Sequence, residues 1–408
     1  MKEEAIKSYK VPIEAPRDLI EACFEVRRKA LREVLNRVAY SQTGKAHLNF
    51  KAEDRRKLRN DLLKDWRYSK HYIDSAINSV IGLVKGWIKL YNMGKAESNP
   101  EITKKTVYIK NTLFSYKNGV LKISIKPRRR YLEVDLRRYE YLPKDFDSIG
   151  GLLLTESELI ITFRKLVKNV KPKDWASFDV NLTNITTLIN GRIVRYDLRE
   201  LYHIHRVYEI KRRRIQKLSK QKPKTAKRLM EKYSRRERNR AKDFMHKLTT
   251  KIVRELSEVK SGAILEDLKN IKSRVLHKSK DINRRLSKWN ARTFQFMLEY
   301  KLKWLRLPVK YVDPRNSSKT CPLCSGRMAT YEGRLMKCKN CGIIADRDVI
   351  AVLNLRMWGS GVIPKALIEL SSSMIGKRLI DQNSHLSIKS INREPHTQTL
   401  VIKCISYR

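Results

Sequence analysis

Two pairs of cysteines near the carboxyl end constrain this 408-residue chain more than any other feature. Cys321 and Cys324 form one Cys-x-x-Cys knuckle, Cys338 and Cys341 form a second, and 13 residues lie between them. Four thiolates at this spacing close a tetrahedral shell around Zn²⁺, and no ligand position stays open for water or substrate. The window therefore predicts a structural zinc site, because four unligated buried thiols would leave the paired spacing unexplained.

The charge of the chain restricts its partners. Lys and Arg number 90 against 42 Asp and Glu, which gives a net charge of +48. Such an excess destabilises a compact fold unless a polyanion screens it, and nucleic acid is the obvious polyanion. The chain has no apolar run of about 18 residues and does not begin like a signal peptide. The sequence thus disfavours a membrane span, a secreted protein and an ordinary small-molecule enzyme. Six cysteines in 408 residues are too few for a disulfide framework and indicate a reducing cytoplasm.

The first 170 residues show two kinds of periodicity. Residues 17–40 and 53–94 repeat apolar side chains every three or four positions and predict amphipathic helices with basic outer faces. The apolar stripe is interpreted as core. Residues 6–14 and several runs within 105–168 alternate with period two and predict strands that close a small barrel. A basic loop on its rim is a candidate nucleic-acid contact: Arg128, Arg129 and Arg130.

A second basic segment lies within a predicted long helical stretch, 199–258. Residues 201–250 contain 18 Lys or Arg and 4 Asp or Glu, a local net of 18 − 4 = +14. A solvated helix surface is the simplest interpretation, but like charges at this density repel along a helix, which favours a polyanion partner. The candidate contacts are Lys211, Arg212, Arg213, Arg214, Arg235, Arg236, Arg238 and Arg240.

Acidic residues stand at the ends of several predicted elements in the second half. Asp179 lies in the first strand of a predicted three-strand meander, Glu266 ends a later apolar strand, and Asp346 and Asp348 precede a helix. A buried carboxylate is costly unless it is paired or binds a metal. Each acid alone has another interpretation: an edge-facing Asp, a solvent-facing strand end, or a helix cap. Their order along the chain is that of an RNase H-like nuclease core, in which carboxylates converge on Mg²⁺.

Four sequence motifs are similar to those of the TnpB family, the RNA-guided endonucleases of insertion sequences and apparent ancestors of type V CRISPR effector nucleases. They are Phe178-Asp-Val-Asn-Leu, Ile264-Leu-Glu-Asp-Leu, Asp346-Arg-Asp-Val and Ser317-Ser-Lys-Thr-Cys-Pro-Leu-Cys. The resemblance covers about 1–360 and implies that Asp179, Glu266 and Asp348 are the catalytic Mg²⁺ ligands, with Asp346 capping the helix. It also implies a guide RNA from the transposon end, double-stranded target DNA beside a short adjacent motif, and a prokaryotic, nucleoid-associated setting in the cytoplasm.

The resemblance further implies a multidomain α+β fold. Its parts would be an oligonucleotide-binding β-barrel (wedge) at 1–15 and 101–170, a helical recognition bundle at 16–100, an RNase H-like (RuvC) nuclease core at 171–315 and 343–360, and a zinc ribbon at 316–342. Residues 361–408 are polar with little periodicity and are predicted to form a weakly ordered tail.

Two other functions remain open at this point. One is a nuclease-inactive, RNA-guided DNA-binding regulator, against which the presence of all three acids argues. The other is a transposase that joins strands with the same acids, or an accessory protein of one. The large basic insert and the lack of a recognisable helix-turn-helix weigh against it.

Overall fold

The computed structural model describes residues 3–269, 279–362, 384–394 and 397–406. The chain divides into two compact units, Lys2–Leu166 and Val167–Arg408, the second including Met1. Both units mix helices with sheets, so the predicted α+β class is confirmed. Among the residues described, no helix is both long enough and apolar enough to cross a bilayer.

The helices of the first unit form one core. They are α1 (Arg17–Leu35), α2 (Ala52–Leu63) and α3 (Lys70–Tyr91). The predicted apolar stripe is buried, with Ile73, Ile77 and Val80 inaccessible to solvent, so its interpretation as core is confirmed. A short hairpin, β2 (Val38–Tyr40) with β3 (Ala46–Leu48), joins α1 to α2.

The strands of the first unit form two sheets. One has the order β1 (Glu3–Pro12), β9 (Glu158–Val167), β8 (Ser148–Leu154), β4 (Val107–Ile109), and the other joins β5 (Phe114–Lys117), β6 (Val120–Lys126) and β7 (Arg130–Asp135). The predicted closed barrel is therefore wrong. Strand β4 is only three residues long, and a 3-10 turn over Asn111–Leu113 separates it from β5, so no strand continues from one sheet into the other.

A seven-stranded sheet organises the second unit, with the order β14-β13-β10-β11-β12-β19-β18. Its first five strands in chain order are β10 (Asp174–Val180), β11 (Asn184–Ile189), β12 (Arg192–Asp197), β13 (Ser261–Glu266) and β14 (Val309–Val312). The predicted antiparallel meander β10–β12 is confirmed, while β13 and β14 add in parallel on the other side of β10. The β11–β12 turn is the expected Asn-Gly hairpin, since Asn190 and Gly191 both have positive φ, 47° and 73°.

The helices of this unit are α4 (Arg199–Leu218), α5 (Pro223–Glu258), α6 (Lys280–Ser287), α7 (Ala291–Trp304) and α8 (Arg347–Ser360). Apolar residues of α5 and α7 pack with Phe178 and Val180 of β10. Helix α8 packs against Leu188 and Ile193. A Cβ on Gly359 would lie 2.7 Å from Ile264 Cγ2, so glycine lets α8 approach β13 closely.

The cysteine window forms a small antiparallel sheet of β15 (Met328–Glu332), β16 (Leu335–Cys338) and β17 (Ile344–Asp346). Strand β17 leads directly into α8.

Two strands lie in the tail, 361–408, that is predicted from the sequence to be weakly ordered. Strands β18 (Ser384–Glu394) and β19 (Thr397–Ser406) form a hairpin whose β19 pairs antiparallel with β12. The hairpin supplies partners for the backbone groups of β12, which would otherwise be an unpaired edge. Residues 363–383 of the predicted tail are outside the described residues.

Candidate functional site

Three carboxylates from distant parts of the chain meet at the ends of β10 and β13 and the start of α8. The parallel register pairs Phe178 with Leu265, which puts Asp179 beside Glu266 on the neighbouring strand. Asp348, in the first turn of α8, lies within hydrogen-bonding reach of Asp179. Glu266 and Asp348 are buried, and Asp179 is partly exposed. The structure thus brings together the three acids that the order of motifs singled out.

The charged forms of Asp179 and Glu266 are disfavoured in this site. Burial, followed by repulsion from Asp348, raises the pKa of Asp179. Burial, followed by repulsion from Asp179, raises the pKa of Glu266 above the usual range of a glutamate, even though Glu266 Oε2 accepts a hydrogen bond from the Val180 N–H at 3.4 Å. Carboxylates gathered in this way are suited to a divalent cation, whose charge would offset both the burial and the repulsion.

This repulsion predicts that Glu266→Gln stabilises the metal-free protein. A carboxyl whose folded pKa is raised contributes stability below its unfolded pKa, and that stability is lost as the pH rises through the folded value. We expect the free energy of unfolding of Glu266→Gln to exceed that of the wild type by on the order of 2 kcal/mol at pH 8, and by much less at pH 5. Urea unfolding with a chelator present measures the difference.

The exposed Glu258 at the end of α5 offers the control, since Glu258→Gln should have no such effect. A Glu266→Gln protein that is less stable than the wild type at pH 8 would contradict the proposed repulsion.

Two asparagines in the β10–β11 turn hold two of the acids. Asn181 Nδ2 donates to Asp179 Oδ2 at 2.9 Å, and Asn184 Nδ2 donates to Asp348 Oδ2 at 3.4 Å. The Asn181 N–H donates to the Asn184 carbonyl at 2.9 Å and closes the turn. Sequence reasoning assigned no part in the site to Asn184. The signal was two amide side chains within five residues of a strand acid.

Asp346 and Asp348 differ in what they contact. Asp346 Oδ1 accepts the Asp348 N–H at 2.8 Å, so Asp346 is the N-cap of α8 and the helix-cap interpretation holds for it. Two arginines approach both acids: Arg195 Nη2 lies 3.2 Å from Asp346 Oδ1 and 3.8 Å from Asp348 Oδ2, and Arg334 of the β15–β16 turn pairs with Asp348. Arg195 was not a sequence candidate, and Arg334 was singled out only as one of the basic residues around the cysteines, as a phosphate contact.

The four predicted cysteines form a compact cluster. The Sγ atoms of Cys321 and Cys341 are 3.6 Å apart, those of Cys324 and Cys338 are 3.5 Å apart, and all four lie within 4.8 Å of one another. A tetrahedral Zn²⁺ with Zn–S bonds of about 2.3 Å requires sulfur separations of about 3.8 Å, which this cluster fits. Burial raises the pKa of Cys338, but the Cys341 and Asn340 backbone N–H groups outweigh it and lower that pKa to about 7, which favours the thiolate that binds metal.

Helix α8 connects the cysteine cluster to the carboxylates. Asn354, itself buried, donates to the carbonyls of Ser317 at 2.6 Å and Thr320 at 2.7 Å, immediately before the first knuckle. Ile350 packs among the cysteines. Because Asp348 is on the same helix, the position of its carboxylate depends on how the cysteine sheet holds the start of α8.

The predicted nucleic-acid contacts divide into exposed and engaged residues. Arg128, Arg129 and Arg130 are exposed at the β6–β7 turn, where Arg130 also pairs with Asp18 at 2.7 Å. On α4 and α5 the exposed candidates are Arg213, Arg214, Arg235, Arg236, Arg238 and Arg240. Within the α4–α5 pair, Arg212 pairs with Glu237, and Lys211 lies 5.2 Å and 5.1 Å from the ring centroids of Tyr208 and Tyr233. The side chains of Arg212 and Lys211 therefore link α4 to α5.

Three segments of the chain match known protein families. Residues 155–292 match the family described as "Probable transposase", residues 292–355 match "Cas12f1-like, TNB domain", and residues 19–124 match "Uncharacterized protein MJ0013 family". The candidate acids lie in the first two of these segments.

Two proteins of Methanocaldococcus jannaschii are similar over most of their length. TnpB-like protein MJ1635 is 30% identical over 371 residues, 89% of this chain and 87% of that protein. TnpB-like protein MJ0751 is 36% identical over 256 residues, 60% of this chain and 92% of that protein. The chain belongs to the TnpB family. A "Putative RNA-guided DNA endonuclease" of Streptomyces pristinaespiralis is 28% identical over 231 residues, 54% of this chain and 52% of that protein.

The fold is also similar to that of a solved effector. The Cas12f1 chain of a Cas12f1–sgRNA–target DNA complex superposes with a TM-score of 0.54 at 15% identity, covering 83% of this chain and 81% of that one. At 15% identity this similarity is one of fold alone.

Proposed function

We propose that this TnpB-family protein is an RNA-guided, Mg²⁺-dependent DNA endonuclease whose catalytic residues are Asp179, Glu266 and Asp348. The observation that carries the proposal is the convergence of these acids, from strands and a helix far apart in the sequence, at one end of the central sheet. The net charge of +48 supports a nucleic-acid substrate, as do the names of the endonuclease relative and of the Cas12f1 complex.

Five residues of the site have a part in the proposed mechanism. Asp179, Glu266 and Asp348 would hold Mg²⁺, which would stabilise the charge on the attacking and leaving oxygens of a phosphodiester. Asn181 and Asn184 orient two of these carboxylates through their amide N–H groups, and both asparagines share one short turn.

The domain assignments follow from this proposal. Residues 171–315 and 343–360 are an RNase H-like (RuvC) core, and 316–342 are a zinc ribbon whose Zn²⁺ is structural. Residues 16–100 are the helical recognition bundle, and the open sheets of 1–15 and 101–170 take the place expected for the wedge. The partners are a guide RNA from the transposon end and double-stranded DNA beside a short adjacent motif.

The test begins with the nucleic acid that leaves the cell with the full-length protein. We expect a discrete RNA whose sequence includes the end of the transposon. We also expect Mg²⁺-dependent cleavage of DNA that matches the guide segment of this RNA, while unmatched DNA of equal length remains intact. Strand-transfer products formed without any RNA would overturn the proposal in favour of a transposase. Guide-matched binding without cleavage by the wild type would favour the regulator.

A further inference from the structure

Four cations surround a single carboxylate on the side of α4 that faces α6. Glu209 contacts Arg213 and Lys288, lies 3.6 Å from Arg284 Nε and lies 3.7 Å from Arg206 Nη1. We call these five residues the Glu209 cluster. Arg206, Arg213 and Lys288 of the cluster carry three positive charges against the one negative charge of Glu209.

The positive charge around Glu209 is greater than a stabilising ion pair requires. The side chains of Glu209 and Lys288 are 9% and 8% exposed, so they form a buried pair that is already neutral. Arg206 and Arg213 add a further charge of +2 with their side chains 52% and 49% exposed, where a partner from solution can reach them. Like charges held this closely repel, and a carboxylate that orients guanidinium groups beside a solvent-accessible surface prepares them for an oxyanion.

The cluster lies next to the turn that holds the acids. Lys288 and Asn290 line a small cavity of about 10 Å³ together with Val180 and Asn181. Trp289 Nε1 donates to the Val180 carbonyl at 3.0 Å, so the chain between α6 and α7 packs directly on the residue that follows Asp179. A ligand held by the cluster would therefore be a neighbour of the candidate catalytic site.

We propose that the Glu209 cluster binds a backbone phosphate of the DNA strand that is presented to Asp179, Glu266 and Asp348. The destination of the strand rests on the proposed function, whereas phosphate binding by the cluster does not. A phosphodiester fits because it offers two anionic oxygens to planar guanidinium forks, and its charge reduces the repulsion among the arginines. Glu209 acts as a positioning residue, which keeps Arg206 and Arg213 on one face of α4.

The test compares two arginines of the same helix. Arg213 belongs to the cluster, whereas Arg199, in the first turn of α4, is 81% exposed and pairs with Asp197. The dissociation constant for an unmatched duplex DNA is measured with the full-length protein between 50 mM and 200 mM salt. Loss of one phosphate contact lowers the slope of log K against log salt by about 0.9, which makes the fall in affinity across this range about threefold smaller.

We expect this change in Arg213→Gln, its recovery in Arg213→Lys, and wild-type behaviour in Arg199→Gln. Equal slopes for Arg213→Gln and Arg199→Gln would overturn the proposal, as would a change seen with RNA of the same sequence and not with DNA. The binding slope is independent of cleavage. If Asp179→Asn still cuts DNA, the proposed catalytic site fails while phosphate binding by the cluster stands.

Discussion

Asp179→Asn should lower the rate of guide-matched DNA cleavage by about a thousandfold or more, which corresponds to a loss of about 4 kcal/mol of transition-state stabilisation. The substitution keeps the size of the side chain and its contact with Asn181, but it removes one of three negative charges that would hold Mg²⁺. The protein–RNA complex should bind the same DNA with unchanged affinity. Single-turnover cleavage measured beside equilibrium binding separates the two effects.

Asp346→Asn is the matched control, because it replaces an aspartate two residues from Asp348 by another good N-cap residue. We expect its cleavage rate to stay within about threefold of the wild type, since a helix cap contributes only about 1 kcal/mol. Equal losses in Asp179→Asn and Asp346→Asn would mean that the charge of the whole region matters, and the assignment of individual ligands would fail.

Removal of zinc should have the second large effect. We expect Cys338→Ser to lower the bound zinc from one ion per chain to well below one and to reduce cleavage at least about a hundredfold. The four thiolates supply the free energy that folds the β15–β17 sheet, and structural zinc sites of this kind contribute on the order of 10 kcal/mol. Without it, the segment that positions the start of α8, and with it Asp348, loses its support. Metal analysis and single-turnover cleavage measure the two outcomes.

Cys23 provides the control for this prediction, because it is a buried cysteine of the other unit and is not a member of the thiol cluster. Cys23→Ala should retain one zinc ion per chain and its cleavage activity, with a modest loss of stability from the small cavity that it leaves. A Cys338→Ser protein that lost zinc but cut DNA at the wild-type rate would show that α8 is held without the metal.

The elements set by local patterns were predictable. The Asn190-Gly191 hairpin follows from two residues that tolerate positive φ, and the meander that contains it follows from the short β-like runs on either side of that turn. The α3 stripe is buried because its spacing places it on one helix face. Acids at the ends of predicted strands and helices could also be selected as candidates. Only their order along the chain, and no local signal, suggested that their carboxylates lie together in the fold.

The errors and omissions all concern pairing between distant segments. The barrel was inferred from strand count, yet the chain leaves the first sheet at Ile109, and only the hydrogen-bond register reveals two sheets. The hairpin β18–β19 was not predicted, because its pairing with the edge strand β12 is a contact between distant segments.

The amino-acid sequence by itself determined the four thiol ligands, the acidic motifs and the excess of positive charge, since each depends on residue type and short spacing. The tertiary structure decided which acids converge, that Asp346 caps a helix while Asp348 joins the site, and that Arg334 reaches Asp348 from the cysteine sheet. It also gathered Arg206, Arg213, Arg284 and Lys288 around Glu209. The contacts of Arg284 and Lys288 with Glu209 join residues more than 70 positions apart, and their geometry arises from the packing of the sheet and its helices.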